Sequence, residues 1–372
     1  MKSNYRALSE LIEKVDERND DDAITELIGV SIDKCFIKSV ANTNGTDLSK
    51  YKIIRKNEFA VSLMQVSRDS KIPVARLEDY EVAIMSPAYP IFRVKDTRKI
   101  LPEYLDMWFK RPEFDREAAF IAVGGVRGSM PWEEFVKMKL PVPTIEKQLE
   151  IVNSYKAITE RIALKQKIND NLLDSVQAIF RSWFVDYDPF DGVCPSNWET
   201  GCVEDIAEFF DSMRKPLSSL ERTDMERIYP YYGAVSIVDY VDDYIFDGEY
   251  LLVSEDGIYV VDENGHPLIQ HISGKFWANN HAHILKGKSG FNEDSLYLFL
   301  ANTNMAPIVT GAAQPKINQA NLKSFPITIP DSETMLKFNN IIQPFFDQRL
   351  TNESEIKKLE ALQSLLLTRL VD

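Results

Sequence analysis

Cysteine is scarce in these 372 residues: Cys35, Cys194 and Cys202 are scattered with no CxxC pair, which argues against a disulfide framework, a zinc ribbon and a thioredoxin-type site. They read as isolated free thiols. Long apolar runs are missing too, since those present, such as Ser364 to Leu367, fall far short of the roughly 20 residues that cross a bilayer. The opening Met-Lys-Ser-Asn-Tyr-Arg runs into polar sequence without the apolar core of a secretory signal, so the expected location is cytoplasmic. Basic charge is in deficit, with 43 Lys and Arg against 57 Asp and Glu and a formal net charge of -14. Duplex affinity draws on cations that neutralise phosphates, so any contact with DNA must be local or helped by a partner.

Catalytic signatures are absent as well. The chain has no GxxxxGK(S/T) phosphate loop, no GxGxxG after a strand, no HExxH and no GxSxG, and it is not expected to be an enzyme on its own. Asp188-Pro189-Phe190 is the nearest approach to the NPPY-like tetrapeptide of an amino-methyltransferase, and it reads as a turn. His281 and His283 in NNHAHIL can share one side of a strand, but no third ligand stands at a familiar spacing, so no metal is expected. With Trp277, Asn279 and Asn280 they read as hydrogen-bonding and stacking groups on a recognition surface, or as turn-forming Asn and buried His.

What is present is local basic charge and a repeat. Between Lys50 and Arg76 stand Lys50, Lys52, Arg55, Lys56, Arg68, Lys71 and Arg76 against only Glu58 and Asp69, either a phosphate-facing stripe or a solvated basic face. The segment GGVRGSMPWEEFVKMKLPVP, Gly124 to Pro143, returns as GAAQPKINQANLKSFPITIP, Gly311 to Pro330, 187 residues later. Phe135 then matches Leu322, Leu140 matches Ile327 and Val142 matches Ile329. Upstream the offset is 191: Glu58-Phe59 matches Glu249-Tyr250, and Leu105 matches Leu296. Leu8 and Leu11 correspond to Val203 and Ile206, which follow Trp198.

The apolar runs EFAVSL, YEVAIM and PIFRV in the first half, and SIVDYV, EYLLVS, IYVVD and AHILK in the second, predict short strands. Pro102 to Arg111 and Asn292 to Ala301 predict the chief short helices, so each half is a mixed α+β module. Each glycine segment offers close backbone approach with polar side chains: Gly124, Gly125, Arg127, Gly128 and Ser129 in the first, Gly311, Gln314, Lys316 and Asn318 in the second. The other reading is that the glycines only satisfy turn geometry.

A long heptad-like helix follows each module. The first carries Ile151, Tyr155, Ile158, Ile162, Leu172, Val176, Ile179 and Trp183 in its seam, interrupted at Lys165 and Asn169. The second carries Met335, Phe338, Ile342, Phe345, Ile356, Leu359, Leu366 and Leu370, interrupted at Arg349 and Asn352. About forty residues of helix span roughly 60 Å, and each is the natural antiparallel partner of the other. Pro344 either kinks the second helix or marks a start just before it.

The order of these pieces resembles the specificity subunit of type I restriction-modification enzymes. The likeness rests on GVRGSMPWEEFVKMKLPVPTIEKQLEI, on the QAIFRSWF end of the central helix, and on YYGAVSIVDYV, EYLLVSEDG, FWANNHAHIL and the Leu-rich Leu359 to Leu370. The second copy departs from the pattern at Ser332-Glu333-Thr334-Met335, where the first has Ile145-Glu146-Lys147-Gln148.

The resemblance implies an α+β fold of two similar target recognition domains separated by a pair of long antiparallel coiled-coil helices, related by a pseudo-two-fold. The expected divisions are 1–143 and 186–330 for the domains, with 144–185 and 331–372 for the helices. It further implies a non-catalytic subunit that recognises a bipartite double-stranded DNA target and scaffolds two methyltransferase subunits, with restriction-translocase subunits as further partners. The chain itself needs no cofactor, S-adenosylmethionine and ATP belonging to those partners.

The residues expected at DNA are Arg68, Lys71, Gly125, Arg127 and Ser129 in the first module, with Lys275, Asn280, Gln314, Lys316 and Asn318 in the second. The alternatives are a protein-bridging scaffold without DNA readout, and the recognition part of a single-chain restriction enzyme.

Overall fold

The apolar runs of the first half fold into short antiparallel strands under a layer of helices. Our computed structural model describes residues 4–39, 47–64, 66–123, 128–257, 260–311 and 313–371. Its contacts divide into two units, Met1–Lys165 with Ser354–Asp372, and Gln166–Glu353.

The first unit runs β1 (Tyr5–Ala7), α1 (Leu8–Leu11), β2 (Ile12–Val15), β3 (Ile28–Val30), β4 (Phe36–Lys38), β5 (Lys52–Arg55), β6 (Phe59–Val61), α2 (Val66–Asp69), β7 (Val74–Arg76), β8 (Val82–Met85), β9 (Ile91–Val94), α3 (Pro102–Phe109), α4 (Pro112–Ala122), α5 (Trp132–Phe135) and β10 (Lys139–Pro141), then enters α6 (Ile145–Phe184). Strands β2, β9, β6 and β7 form one antiparallel sheet in that order, flanked by the pairs β1-β10, β3-β4 and β5-β8. Phe59 stacks on Phe92 at 5.2 Å, and both lie in one buried cluster with Tyr104, Phe109, Phe114 and Phe135 from the helices above. The sequence predicts one helix from Pro102 to Arg111, and α3 ends at Phe109. Pro112 in fact opens α4, because proline lacks the N–H that a first-turn position leaves unpaired anyway.

The second unit repeats this topology. After α6 come β11 (Glu199–Cys202), α7 (Val203–Ile206), β12 (Ala207–Phe209), α8 (Ser219–Thr223), β13 (Tyr229–Tyr232), β14 (Ile237–Val241), β15 (Phe246–Ser254), β16 (Ile269–Ala278), β17 (Ala282–Gly287), α9 (Glu293–Ala301), α10 (Gln319–Lys323), β18 (Pro326–Ile329) and α11 (Ser332–Thr368). Its sheet order is β12-β17-β15-β16-β13-β14, so β12, β17, β15 and β16 take the places of β2, β9, β6 and β7, and β11-β18 takes the place of β1-β10. Leu8 and Leu11 are buried on α1 as Val203 and Ile206 are on α7.

Two expectations change here. Phe59 pairs with Phe92 as Leu251 pairs with Leu285, so Phe59 corresponds to Leu251 and the Glu249-Tyr250 match was one residue out. A one-residue slip turns a side chain to the opposite face, and Tyr250 indeed belongs to a different apolar cluster from Leu251. Of IYVVD, residues 258 and 259 lie outside those described, and in the described remainder Val261 makes an isolated bridge to Pro267 in place of a strand. The ten-residue β16 was missed because Gln270, His271, Ser273, Gly274 and Lys275 break its apolar alternation.

Helix α6 is 40 residues long and α11 is 37. Within the first unit Gln363 donates to Thr159 at 2.8 Å, Lys165 pairs with Glu355 at 2.7 Å, and Leu367 and Leu370 join the cluster that Ile151 and Tyr155 pack against. Within the second, Asn352 donates to Asn169 at 2.8 Å while Phe338 packs on Trp183 and Phe184. In each unit the two helical stretches run in opposite directions, and polar seam residues meet one another, as register-setting positions do. The seam differs in detail from the heptad reading: Phe180, Phe346 and Leu367 are buried, while Phe345 is only partly so and Leu366 is half-buried.

Pro344 lies inside α11 on an exposed position and does not start the helix. The start is at Ser332, where the Asp331 carboxylate accepts from the Glu333 and Thr334 N–H groups at 3.1 Å and from Trp198 Nε1 at 3.2 Å. Asp331→Ala removes that cap and is expected to cost about 1 kcal/mol in urea denaturation, a loss that Asp331→Asn should largely avoid. Among the described residues no helix is long and apolar enough to cross a membrane.

Candidate nucleic-acid interface

The glycine segment of each unit is tied to the fold by the same backbone bond. In the first, Met130 N–H donates to the Leu63 carbonyl at 2.9 Å; in the second, Ile317 N–H donates to the Glu255 carbonyl at 2.8 Å. Leu63 lies just beyond β6 and Glu255 just beyond β15, so both loops hang from the end of the equivalent central strand.

In the first unit Gly125 and Arg127 fall outside the described residues. Gly128 has φ +73° and sits so close to α2 that a Cβ there would collide with the Ser67 hydroxyl, which requires glycine. This seats the loop, with Ser129 next in line, against the short helix that carries Arg68. The Arg68 guanidinium is exposed and takes Asp69 through two hydrogen bonds at 2.7 and 3.2 Å, which hold its pKa above the usual value. Lys71 follows two residues after α2, half-exposed, with Asp33 at 3.9 Å. Gly128 and Arg68 are thus neighbours, with Lys71 two residues beyond α2.

The rest of the basic run is not a stripe. Lys52 is buried against Asp16 and Arg76 is half-buried between Glu78 and Glu103, while Lys50, Arg55 and Lys56 pair with Asp47, Glu17 and Glu81. Carboxylates from outside the run neutralise it, which counting between Lys50 and Arg76 could not reveal.

In the second unit the loop is a tight hairpin. Thr310 and Lys316 exchange both backbone bonds at 2.8 Å, and Gly311 (φ +86°) leaves no room for a Cβ beneath the Gln314 carbonyl. Gln314 stands exposed near the tip, and Asn318 caps α10 by accepting from Asn321 N–H at 2.8 Å. Lys316 reaches down to Glu255 at 2.8 Å. Glu255 also takes Arg214 at 2.6 Å, and Arg214 in turn donates to the carbonyls of Ala282 at 2.6 Å and of exposed Asn280 at 3.4 Å. Asp211 completes the network by accepting from Gln319 Nε2 at 2.6 Å and facing His283 Nδ1 at 2.6 Å. Lys316 and the Asn280 carbonyl therefore touch one charge cluster, with Asn318 beside Gln319 and Gln314 two residues before Lys316. Lys275 does not join it, because its ammonium lies over the Tyr244 ring at 4.4 Å.

Burial works to raise the carboxyls of Glu255 and Asp211. The cations and donors around them prevail, Lys316 and Arg214 for Glu255 and His283 for Asp211, so both stay below the usual range. An open groove of about 420 Å³ lies beside the cluster, lined by Phe209, Asp211, Ser212, Arg214, Gln319 and Lys323.

Three sequence expectations for a recognition surface fail here: His283 is fully buried, and Trp277 and Asn279 are nearly so, with 9% and 8% exposure. Trp277 Nε1–H donates to the Lys215 carbonyl at 2.6 Å, and Asn279 Oδ1 accepts from His281 N–H, so both serve the fold. His281 remains accessible, paired with Asp256 at 2.6 Å. Asp211, Glu255 and His283 could converge on a cation, their ligand atoms lying within 4.8 Å of one another. Their lone pairs are already engaged: Arg214 and Lys316 occupy Glu255, Gln319 and His283 occupy Asp211, and His283 Nε2 faces the Ile317 carbonyl at 2.8 Å. An added ion would also meet two side-chain cations. Arg214, Asp211 and Gln319 escaped the sequence reading because they come from separate segments with no spacing signature. The Glu-Asp-Gly that ends EYLLVSEDG was the one visible hint of Glu255.

Residues 195–362 match the type I restriction modification DNA specificity domain. A putative type I restriction enzyme specificity subunit of Haemophilus influenzae is 39% identical over 128 residues, 34% of this chain and 32% of that protein's length. A type I restriction enzyme specificity subunit of Methanocaldococcus jannaschii is 22% identical over 297 residues, 73% of this chain and 68% of that protein. In fold, the crystal structure of a type I restriction-modification S subunit from M. genitalium covers 100% of this chain and 97% of its own, with a TM-score of 0.60 at 14% identity.

Proposed function

We propose, from the premise that this chain belongs with the specificity subunits of type I restriction-modification systems, that each of its two units reads one part of a divided double-stranded DNA target. The observation that carries this reading is the repeated loop anchor, Met130 to Leu63 and Ile317 to Glu255, which presents two polar loops from equivalent places in two like folds. Arg68, Lys71, Arg127 and Ser129 would supply donors and acceptors to base edges and phosphates in one half of the target, and Asn280, Gln314, Lys316 and Asn318 in the other. Helices α6 and α11 would set the length of unread DNA between them. Family members supply specificity rather than catalysis. In the proposed cytoplasmic complex two methyltransferase subunits bring S-adenosylmethionine, and restriction-translocase subunits bring ATP. The acidic total charge of -14 fits a reader whose partners contribute the remaining positive surface.

Mapping methylated adenines in the source genome with and without this gene should reveal a split motif that vanishes with the gene. On that motif, alanine at Arg68, Arg127, Gln314 or Lys316 is expected to lower discrimination by roughly 1 to 3 kcal/mol per lost base contact, read by gel shift with the partner subunits present. Unchanged binding by all four variants would favour a bridging scaffold that reads no DNA.

A further inference from the structure

Glu255 occupies a singular position in the second unit. Its N–H donates to the His281 carbonyl at 2.9 Å, its carbonyl takes Ile317 N–H at 2.8 Å, and its carboxylate takes Lys316 and Arg214. One residue therefore ties together the turn at 279–281, the hairpin at 310–316 and, through Arg214 and Asp211, the start of α10. Those three segments carry Asn280, Gln314, Lys316 and Asn318. The charged and titratable groups facing it are Asp211, Arg214, His283 and Lys316, with Asp256 next to it in the chain. The equivalent residue of the first unit is Leu63, which offers the same backbone carbonyl but no charge.

We propose that Glu255 is the positioning residue of the second unit's reading surface, a buried carboxylate that fixes the hairpin and the turn as one rigid face without itself reaching DNA. The inference rests on the DNA-reading function proposed above. It separates the halves of the target: neutralising Glu255 loosens base choice in the half read by the second unit, and leaves the half read by the first, whose loop hangs from Leu63, as it was. Glu255→Gln keeps the shape and the backbone bonds but leaves Lys316 without its ion-pair partner and Arg214 with Asp211 alone. Glu255→Asp keeps the charge.

The test uses the full chain assembled with its partner subunits, titrated with duplexes carrying the mapped target and with single base-pair changes in either half. Glu255→Gln should lose about tenfold in discrimination at base pairs of one half only, the scale of one good base contact. Glu255→Asp should recover most of it, and Lys316→Met added to Glu255→Gln should cost little more than Glu255→Gln alone. Discrimination retained by Glu255→Gln in both halves overturns the role of Glu255 while the DNA-reading function stands. Equal loss in both halves, with no recovery in Glu255→Asp, also overturns it, since the effect is then general unfolding. A wild-type complex indifferent to every base change overturns the DNA-reading function, and this inference with it.

Discussion

Phe338→Ala is expected to destabilise the second unit by about 3 to 5 kcal/mol, the usual cost of deleting a buried aromatic ring. Phe338 is 0% exposed, and its ring lies 4.7 Å from Phe184, 5.7 Å from Trp183 and 6.3 Å from Phe180. These three rings belong to the end of α6, so Phe338 is where α11 grips α6 inside this unit. Offset and edge-on packing of this kind adds stabilisation beyond area alone. A cavity there cannot collapse easily, because rigid aromatics line it on the α6 side. Leu336, two residues away and 62% exposed, is the control, and alanine there should change stability by less than about 0.5 kcal/mol. Urea denaturation followed by circular dichroism decides the matter: similar losses for the two variants would mean that the aromatic contact does not hold the helices.

The second large effect concerns His271 and Asp294, which face each other at 3.6 Å with side chains 13% and 5% exposed. Burial lowers the His271 pKa to about 4, helped by Arg349, and raises the Asp294 pKa to about 7, helped by Glu249, Asp347 and Glu293 and opposed by Arg349. Tyr297 stacks on the imidazole, and Phe346 packs against both rings. The depressed His271 contributes stability that is present above about pH 6.5 and is lost as pH falls through about 4. The raised Asp294 contributes stability that is present below about pH 3.8 and is lost as pH rises through about 7. Between pH 4 and 6.5 the two slopes oppose and nearly cancel, so the pair adds little pH dependence to the wild type.

Single substitutions should expose each slope. In Asp294→Asn, stability should climb with pH across that window, by about 3 kcal/mol at most, since one pKa unit corresponds to about 1.4 kcal/mol. In His271→Phe it should fall with pH over the same range by a similar amount. Denaturation curves at half-unit pH steps check this, and parallel profiles for wild type and both variants would refute it.

The duplicated module was legible in the sequence because duplication leaves a periodic trace. Phe135 and Leu322, or Leu140 and Ile327, keep their apolar character since each fills the same place in its own unit. The long helices were legible because a seam repeats every three to four residues. What stayed hidden was set by contacts between distant segments. Phe346 rather than Phe345 turns inward, and no local pattern distinguishes adjacent phenylalanines. The basic run looked free because Glu17, Glu81 and Asp16, which neutralise it, lie outside its window. His283 looked like a surface ligand because a β-strand's alternation does not say which face is covered, and Asp211 arrives from 72 residues away to enclose it. Of the candidate DNA residues, the hairpin group came together around a cluster whose core members, Asp211, Arg214 and Glu255, had not been selected.

The bond from which each loop hangs involves only main-chain atoms, and a peptide carbonyl places no demand on the side chain that bears it. Position 63 can therefore be leucine and its counterpart glutamate while the same backbone bond is kept. Residues that face outward from either loop can therefore be exchanged while the suspension beneath them stays intact, with no change of architecture.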